Sequence, residues 1–100
     1  MRNYIATGLL LTTTLFAQAA FAETECTTEP KDKWMTELDM QKKIVGDMGH
    51  IIYKFKVTDG NCYEIYGMGP KEGSTTGEME KVEIYFSPID GSIAKKKIES

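Results

Sequence analysis

The strongest constraint on this chain is an abrupt change in composition after residue 22. Met1-Arg2-Asn3 is a short positive start, and residues 4–17 are uncharged and mostly apolar or threonine. Ala20-Phe21-Ala22 places small residues at the two positions that a signal peptidase reads, and charged residues are frequent from Glu23 onward. This order is typical of a secretory signal peptide. We therefore predict that residues 1–22 are removed and that the mature protein is periplasmic or secreted.

A membrane anchor and a lipoprotein signal are the alternatives to a cleaved leader. The apolar run is interrupted by Thr12-Thr13-Thr14 and Gln18, and it is shorter than a comfortable bilayer span. A lipoprotein signal needs small apolar residues before its cysteine, whereas Thr24-Glu25 precede Cys26. Both alternatives are therefore less favoured.

The mature chain is small enough to need a covalent staple. Removal of 22 of the 100 residues leaves 78, and domains of this size have marginal cores. Two thiols of a small exported domain usually pair, which predicts a Cys26–Cys62 disulfide. Closing this loop would stabilise the fold by ~4 kcal/mol. A metal or redox pair is disfavoured because the cysteines are far apart and His50 is the only histidine.

The charge of the mature chain limits the classes of partner. Loss of Arg2 leaves 11 of the 12 basic residues against all 15 acidic residues, a net charge of −4. This balance disfavours nucleic acid and anionic membranes as main partners. The run Lys95-Lys96-Lys97 is interpreted as a solvated tail.

A helix is predicted over residues 37–48. Thr36 is a candidate N-cap and Asp39 lies three positions later, which resembles a capping box. Gly49 is a natural C-terminal stop. The apolar stripe at helical spacing consists of Met40, Ile44, Val45 and Met48.

Alternation of apolar and polar residues then predicts antiparallel strands. The predicted strands are residues 51–58, 63–68 and 81–87, with residues 92–98 as a short fourth strand. The fold class is α+β: one helix packed on a three- to four-stranded antiparallel meander. This single small domain spans residues 34–98 and follows a polar N-terminal arm, residues 23–33.

The first hairpin fixes the register of the sheet. A three-residue loop, 59–61, pairs Val57 with Tyr63 and Phe55 with Ile65, and it requires Gly60 or Asn61 in the left-handed conformation. The inner face then consists of Tyr53, Phe55, Val57, Tyr63, Ile65, Val82, Ile84 and Phe86.

No catalytic set, metal site or cofactor site is predicted. The spacing supports no Ser-His-Asp arrangement, and paired cysteines leave no Cys-His nucleophile. His50 is interpreted as a solvated loop residue. The acidic residues of the arm could loosely hold calcium, but a solvated arm is the better interpretation; they are Glu23, Glu25, Glu29 and Asp32.

The outer face of the sheet is the first candidate binding surface. Tyrosines among mixed charges suit a protein contact, although tyrosine also favours strands and opposite charges pair across them. The residues of this face are Lys54, Lys56, Glu64, Tyr66, Met68, Glu83 and Tyr85. The second candidate is loop 69–79, because a long hairpin loop can reach into a groove.

The mature sequence resembles the small exported proteins of the PepSY family. The matching features are Trp34-Met35 at the start of the helix, Gly49 at its end, Cys62-Tyr63-Glu64, and the strand and turn from Val82 to Gly91 with Pro88-x-Asp90-Gly91. Serine stands at position 87, where an acid is common in the family. Together these features cover residues 26–94.

The resemblance implies a helix-on-sheet module with no catalytic residues. Members are thought to bind or restrain peptidases, so the expected partner is a peptidase or an envelope membrane protein. The alternative implied function is an accessory or sensory part of a membrane cytochrome or of a metal- or redox-responsive signalling system.

Overall fold

A computed structural model describes residues 23–99, which form a four-stranded antiparallel sheet in the order β1-β2-β3-β4. The strands are β1 (Ile51–Val57), β2 (Tyr63–Pro70), β3 (Met79–Phe86) and β4 (Ile93–Glu99). The predicted antiparallel meander is confirmed, with the fourth strand present. The predicted signal peptide, residues 1–22, lies outside the described residues. No helix within the described span is long and apolar enough to cross a membrane.

One helix precedes the sheet. Helix α1 (Glu37–Lys42) continues as a π-helical turn (Lys43–Asp47). Thr36 caps α1 as predicted, because its Oγ1 accepts a hydrogen bond from the Asp39 N–H at 3.1 Å. A 3₁₀ turn (Lys31–Lys33) lies within the predicted arm.

The core joins the helix to one face of the sheet. Met40 and Ile44 are fully buried, and they belong to the same apolar cluster as the inward residues of β2 and β3. Those sheet residues are Tyr63, Ile65, Val82, Ile84 and Phe86. Val45 was expected in the buried stripe, but it is 51% exposed. Val45 lies in the π-helical turn, where the α-helical spacing used to predict the stripe no longer holds.

The predicted register of the first hairpin is confirmed. Val57 pairs with Tyr63 and Phe55 pairs with Ile65. Asn61 is the residue in the left-handed conformation, with φ 63°. This hairpin therefore sets which residues of β2 face the helix.

The predicted inward position of Tyr53 is wrong. The register of β1 shifts between Ile52 and Lys54, and Tyr53 is 66% exposed while Ile52 packs against the core. Such a bulge inserts one unpaired residue and reverses the alternation beyond it. Gly67 lies opposite Ile52, and a Cβ at Gly67 would collide with the backbone of Ile51.

The predicted disulfide joins Cys26 to Cys62 across 36 positions of sequence, with a Cα–Cα distance of 5.1 Å. The Cys26 N–H also donates to the Gly60 carbonyl oxygen at 2.9 Å. The backbone of Thr24 lies against the α-carbon of Gly60, where a side chain would not fit. The arm is therefore fixed to the first hairpin.

Two further expectations are corrected by the structure. His50 is not a solvated loop residue: it is 8% exposed, and its Nδ1 lies 2.9 Å from the carbonyl oxygen of Met48. Its ring lies against Gly69, which has no side chain to displace it. Lys95-Lys96-Lys97 is not a solvated tail, because the run lies within β4 and pairs with β3.

Candidate functional site

The outer face of the sheet presents two rows of polar side chains. Residues directly opposed in antiparallel strands lie on the same face, so the register assembles each row across all four strands. The first row consists of Lys54, Tyr66, Glu83 and Lys97. The second row consists of Lys56, Glu64, Tyr85 and Lys95. The predicted binding residues are therefore brought together, with Met68 in the adjacent row opposite Ile51 and Lys81.

The two glutamates at the centre of these rows are buried. Glu64 is 2% exposed and Glu83 is 6% exposed. Lys56 Nζ lies 3.6 Å from Glu64 Oε1, and Lys97 Nζ lies 3.5 Å from Glu83 Oε1. Each carboxyl group is thus covered and compensated by a lysine from an edge strand.

The two carboxyl groups are coupled. Burial raises the pKa of Glu64, and a hydrogen bond with Glu83 raises it further. The same hydrogen bond lowers the pKa of Glu83 to about 2. Glu64 Oε2 is buried and accepts no hydrogen bond from a donor among residues 23–99. Glu64 is therefore the weaker acid of the pair and Glu83 the stronger.

The tyrosines of the rows are neutral hydrogen-bond donors. The Tyr85 hydroxyl donates to Glu83 Oε2 at 2.9 Å. Burial, followed by this hydrogen bond, raises the pKa of Tyr85 above its usual value. A hydrogen bond to Glu83 raises the pKa of Tyr66 to about 12. Both rings therefore present uncharged, partly exposed surfaces, each between a lysine and a glutamate of its row, and Lys95 Nζ lies 5.9 Å from the centre of the Tyr85 ring.

The loop between β2 and β3 is shorter and more ordered than expected. Gly69 and Pro70 pair with β3, which leaves residues 71–78 as the loop. Ser74 Oγ accepts hydrogen bonds from the N–H groups of Thr76 and Glu78, both at 3.2 Å. The predicted loop 69–79 is therefore reduced to a hydrogen-bonded turn, residues 71–78, between Pro70 and Met79.

A family model described as "Peptidase propeptide and YPEB domain" matches residues 6–97. The chain belongs to this PepSY family. The family membership predicted from the sequence is confirmed. The comparisons found no matching curated protein and no matching solved structure.

The arm of this PepSY domain reaches one end of the two rows. Glu23 lines a shallow pocket together with Lys56, Glu64, Tyr66 and Tyr85. The acidic residues of the arm do not converge, and within residues 23–99 no three His, Cys, Asp or Glu side chains gather as metal ligands do.

Sequence reasoning missed the coupling of the two glutamates in the PepSY domain. Alternation places Glu64 and Glu83 on the outer face, and a glutamate on such a face is ordinarily solvated. The sequence did contain a signal for this coupling. The two glutamates lie on neighbouring central strands next to tyrosines, and both flanking strands carry lysines. The predicted register covers only the first hairpin, and the pairing of β2 with β3 that places Glu64 diagonal to Glu83 is seen in the structure.

Proposed function

We propose that this PepSY domain is an exported, non-catalytic binding module that restrains or regulates a peptidase or another envelope protein. The contact surface is the outer face, and the residues proposed to make the contact are Lys54, Lys56, Glu64, Tyr66, Met68 and Tyr85. Loop 71–78 provides a second contact beside it. The single observation that carries the proposal is the assembly of tyrosines and lysines into two ordered rows on the face opposite the helix.

Membership of a peptidase propeptide family supports a partner that is itself a peptidase. A propeptide acts by occupying surface on its enzyme, so its chemistry is recognition rather than catalysis. Tyrosine is enriched in such interfaces because it presents a large rigid surface with a polar end. Both tyrosines of the rows are partly exposed and held in place by carboxylates.

The disulfide supports export. Disulfides persist in oxidising compartments and are rare where thiol reductants act. The bond between Cys26 and Cys62 begins four positions after the predicted cleavage point, so a mature chain starting at Glu23 retains it. This bond and the predicted leader together support a periplasmic or secreted location.

Crosslinking in the native cell envelope, followed by mass spectrometry, tests the surface. We expect Tyr66→Ser with Tyr85→Ser to remove the captured partner, while Tyr53→Ser retains it because Tyr53 lies outside the two rows. Two single variants serve as controls, because Tyr85→Ser also removes the hydrogen bond from Tyr85 to Glu83. Tyr66→Ser alone keeps that hydrogen bond, and Tyr85→Phe keeps the packed ring.

Circular dichroism and the melting temperature of each variant establish that it is folded. A partner list unchanged by the folded tyrosine variants would exclude the outer face as the contact surface. Capture of a membrane cytochrome or a sensor kinase in place of a peptidase would support the accessory or sensory function instead.

A further inference from the structure

The outer face is positive although the chain as a whole is acidic. The two polar rows and the adjacent row of Met68 together hold five lysines and three glutamates, a surplus of two positive charges. These residues are Lys54, Lys56, Lys81, Lys95, Lys97, Glu64, Glu83 and Glu99. The remaining residues of 23–99 include six lysines and twelve acidic residues. The molecule therefore presents one cationic face and an anionic remainder.

The lysines stand at the two sides of this face. Lys54 and Lys56 lie on edge strand β1, and Lys95 and Lys97 lie on edge strand β4. Three interstrand spacings separate these strands, which places the two pairs about 14 Å apart. Ion pairs with the buried glutamates occupy Lys56 and Lys97. Within the described part of the chain, neither Lys54 nor Lys95 has a carboxylate at ion-pair distance, and both are exposed.

An acidic segment of this chain already lies at one end of the face. Glu23 lines the shallow pocket that contains Lys56, Glu64 and Tyr66. The disulfide and the hydrogen bond from Cys26 to Gly60 hold the arm in this position. An extended chain bearing carboxylates is thus sterically compatible with the edge of the two rows.

Resting on the proposed function, we propose that the outer face binds an acidic polypeptide segment of its partner. Carboxylates of that segment pair with Lys54 and Lys95, while an N–H or hydroxyl donor reaches Glu64 Oε2 at the centre. Phosphate groups suit this centre less well, because Glu83 is a carboxylate and would repel them. A polypeptide supplies both the anionic groups at the sides and the donors in the middle.

The test uses two fluorescently labelled peptides, one with glutamate alternating with serine and one with glutamine replacing every glutamate. Anisotropy titrations compare them with the mature protein at low and at physiological ionic strength. We expect the glutamate peptide to bind and its affinity to fall as salt rises, because exposed ion pairs are screened. The glutamine peptide should not bind measurably.

The decisive variant is Lys54→Gln with Lys95→Gln, and the matched control is Lys33→Gln with Lys42→Gln, which changes the net charge equally away from the face. The first variant should weaken glutamate-peptide binding by roughly five- to tenfold, as expected for two exposed charge contacts, and the control should change it less than twofold. Equal losses in both variants, or no binding by the wild-type protein at low ionic strength, would overturn the proposal.

Phosphatidylglycerol vesicles and inorganic phosphate are the competing probes. If either binds with the same dependence on Lys54 and Lys95, the face is a general anion site and the polypeptide assignment is rejected. This result is distinguishable from failure of the proposed function. A crosslinked partner that is lost in the tyrosine variants but retained in the lysine variant would keep the binding surface and reject its preference for acidic segments.

Discussion

At the scale of single residues, Glu64 and Glu83 depart in opposite directions from the ordinary pKa of glutamate. The pKa of Glu83 is lowered to about 2, first of all by its hydrogen bond from Glu64. The Glu83 carboxylate therefore stabilises the fold at pH values above the ordinary pKa of glutamate, and this stabilisation is lost as the pH falls through about 2. The pKa of Glu64 is raised, chiefly by burial. The contribution of Glu64 to the free energy of unfolding is complete at pH values below the ordinary pKa of glutamate, and it is lost as the pH rises through the raised pKa of Glu64.

Glu83→Gln should destabilise the fold at neutral pH by about 1–3 kcal/mol, because the Lys97 ion pair and the charged acceptor for Tyr85 are lost. Urea unfolding at a series of pH values measures this difference. It should shrink towards zero near pH 2, where the wild-type carboxylate is also protonated. A loss independent of pH would contradict the assigned charge of Glu83.

Glu64→Gln should be tolerated at neutral pH. The glutamine amide can donate to Glu83, and it removes the cost of ionising a buried acid. The same unfolding series should show that the variant gains stability relative to the wild type as the pH rises above the ordinary glutamate range. A loss at neutral pH as large as that of Glu83→Gln would show that Glu64 is ionised in the folded protein.

At the scale of secondary-structure elements, the features set by local sequence were predictable. The Thr36 cap and the loop at Asn61 depend on residues within a few positions of one another. The bulge at Tyr53 was not predictable, because it depends on how β1 passes Gly67 of the neighbouring strand. His50 was assigned to solvent for the same reason, since its burial requires β2 to extend to Gly69.

Two glycine-to-alanine substitutions should change stability in opposite directions. Gly67→Ala should cost about 1–3 kcal/mol, because the new Cβ collides with the backbone of Ile51. Gly46→Ala should stabilise the fold by about 0.5–1 kcal/mol, because no atom lies within 4 Å of its Cβ position and alanine favours a helix. Denaturant midpoints of the two variants measure the difference. Equal effects would contradict the close strand approach at Gly67.

At the scale of the whole molecule, stability depends on the disulfide that attaches the arm to the first hairpin. Its reduction should lower the free energy of unfolding by ~4 kcal/mol, a large fraction of what a domain this small provides. Thermal unfolding with and without reductant measures this loss, and Cys26→Ser with Cys62→Ser should reproduce it without further response to reductant. An unchanged melting temperature after reduction would mean that the fold is held by its core alone.

The three successive lysines of β4 have a consequence for self-association. An open sheet ends in unpaired backbone donors and acceptors, which can recruit an identical strand from another molecule. Here a second copy approaching along β4 would bring its own Lys95-Lys96-Lys97 against the first run, and the ammonium groups would repel one another. Fibril growth by pairing of β4 with β4 of another molecule is thereby opposed.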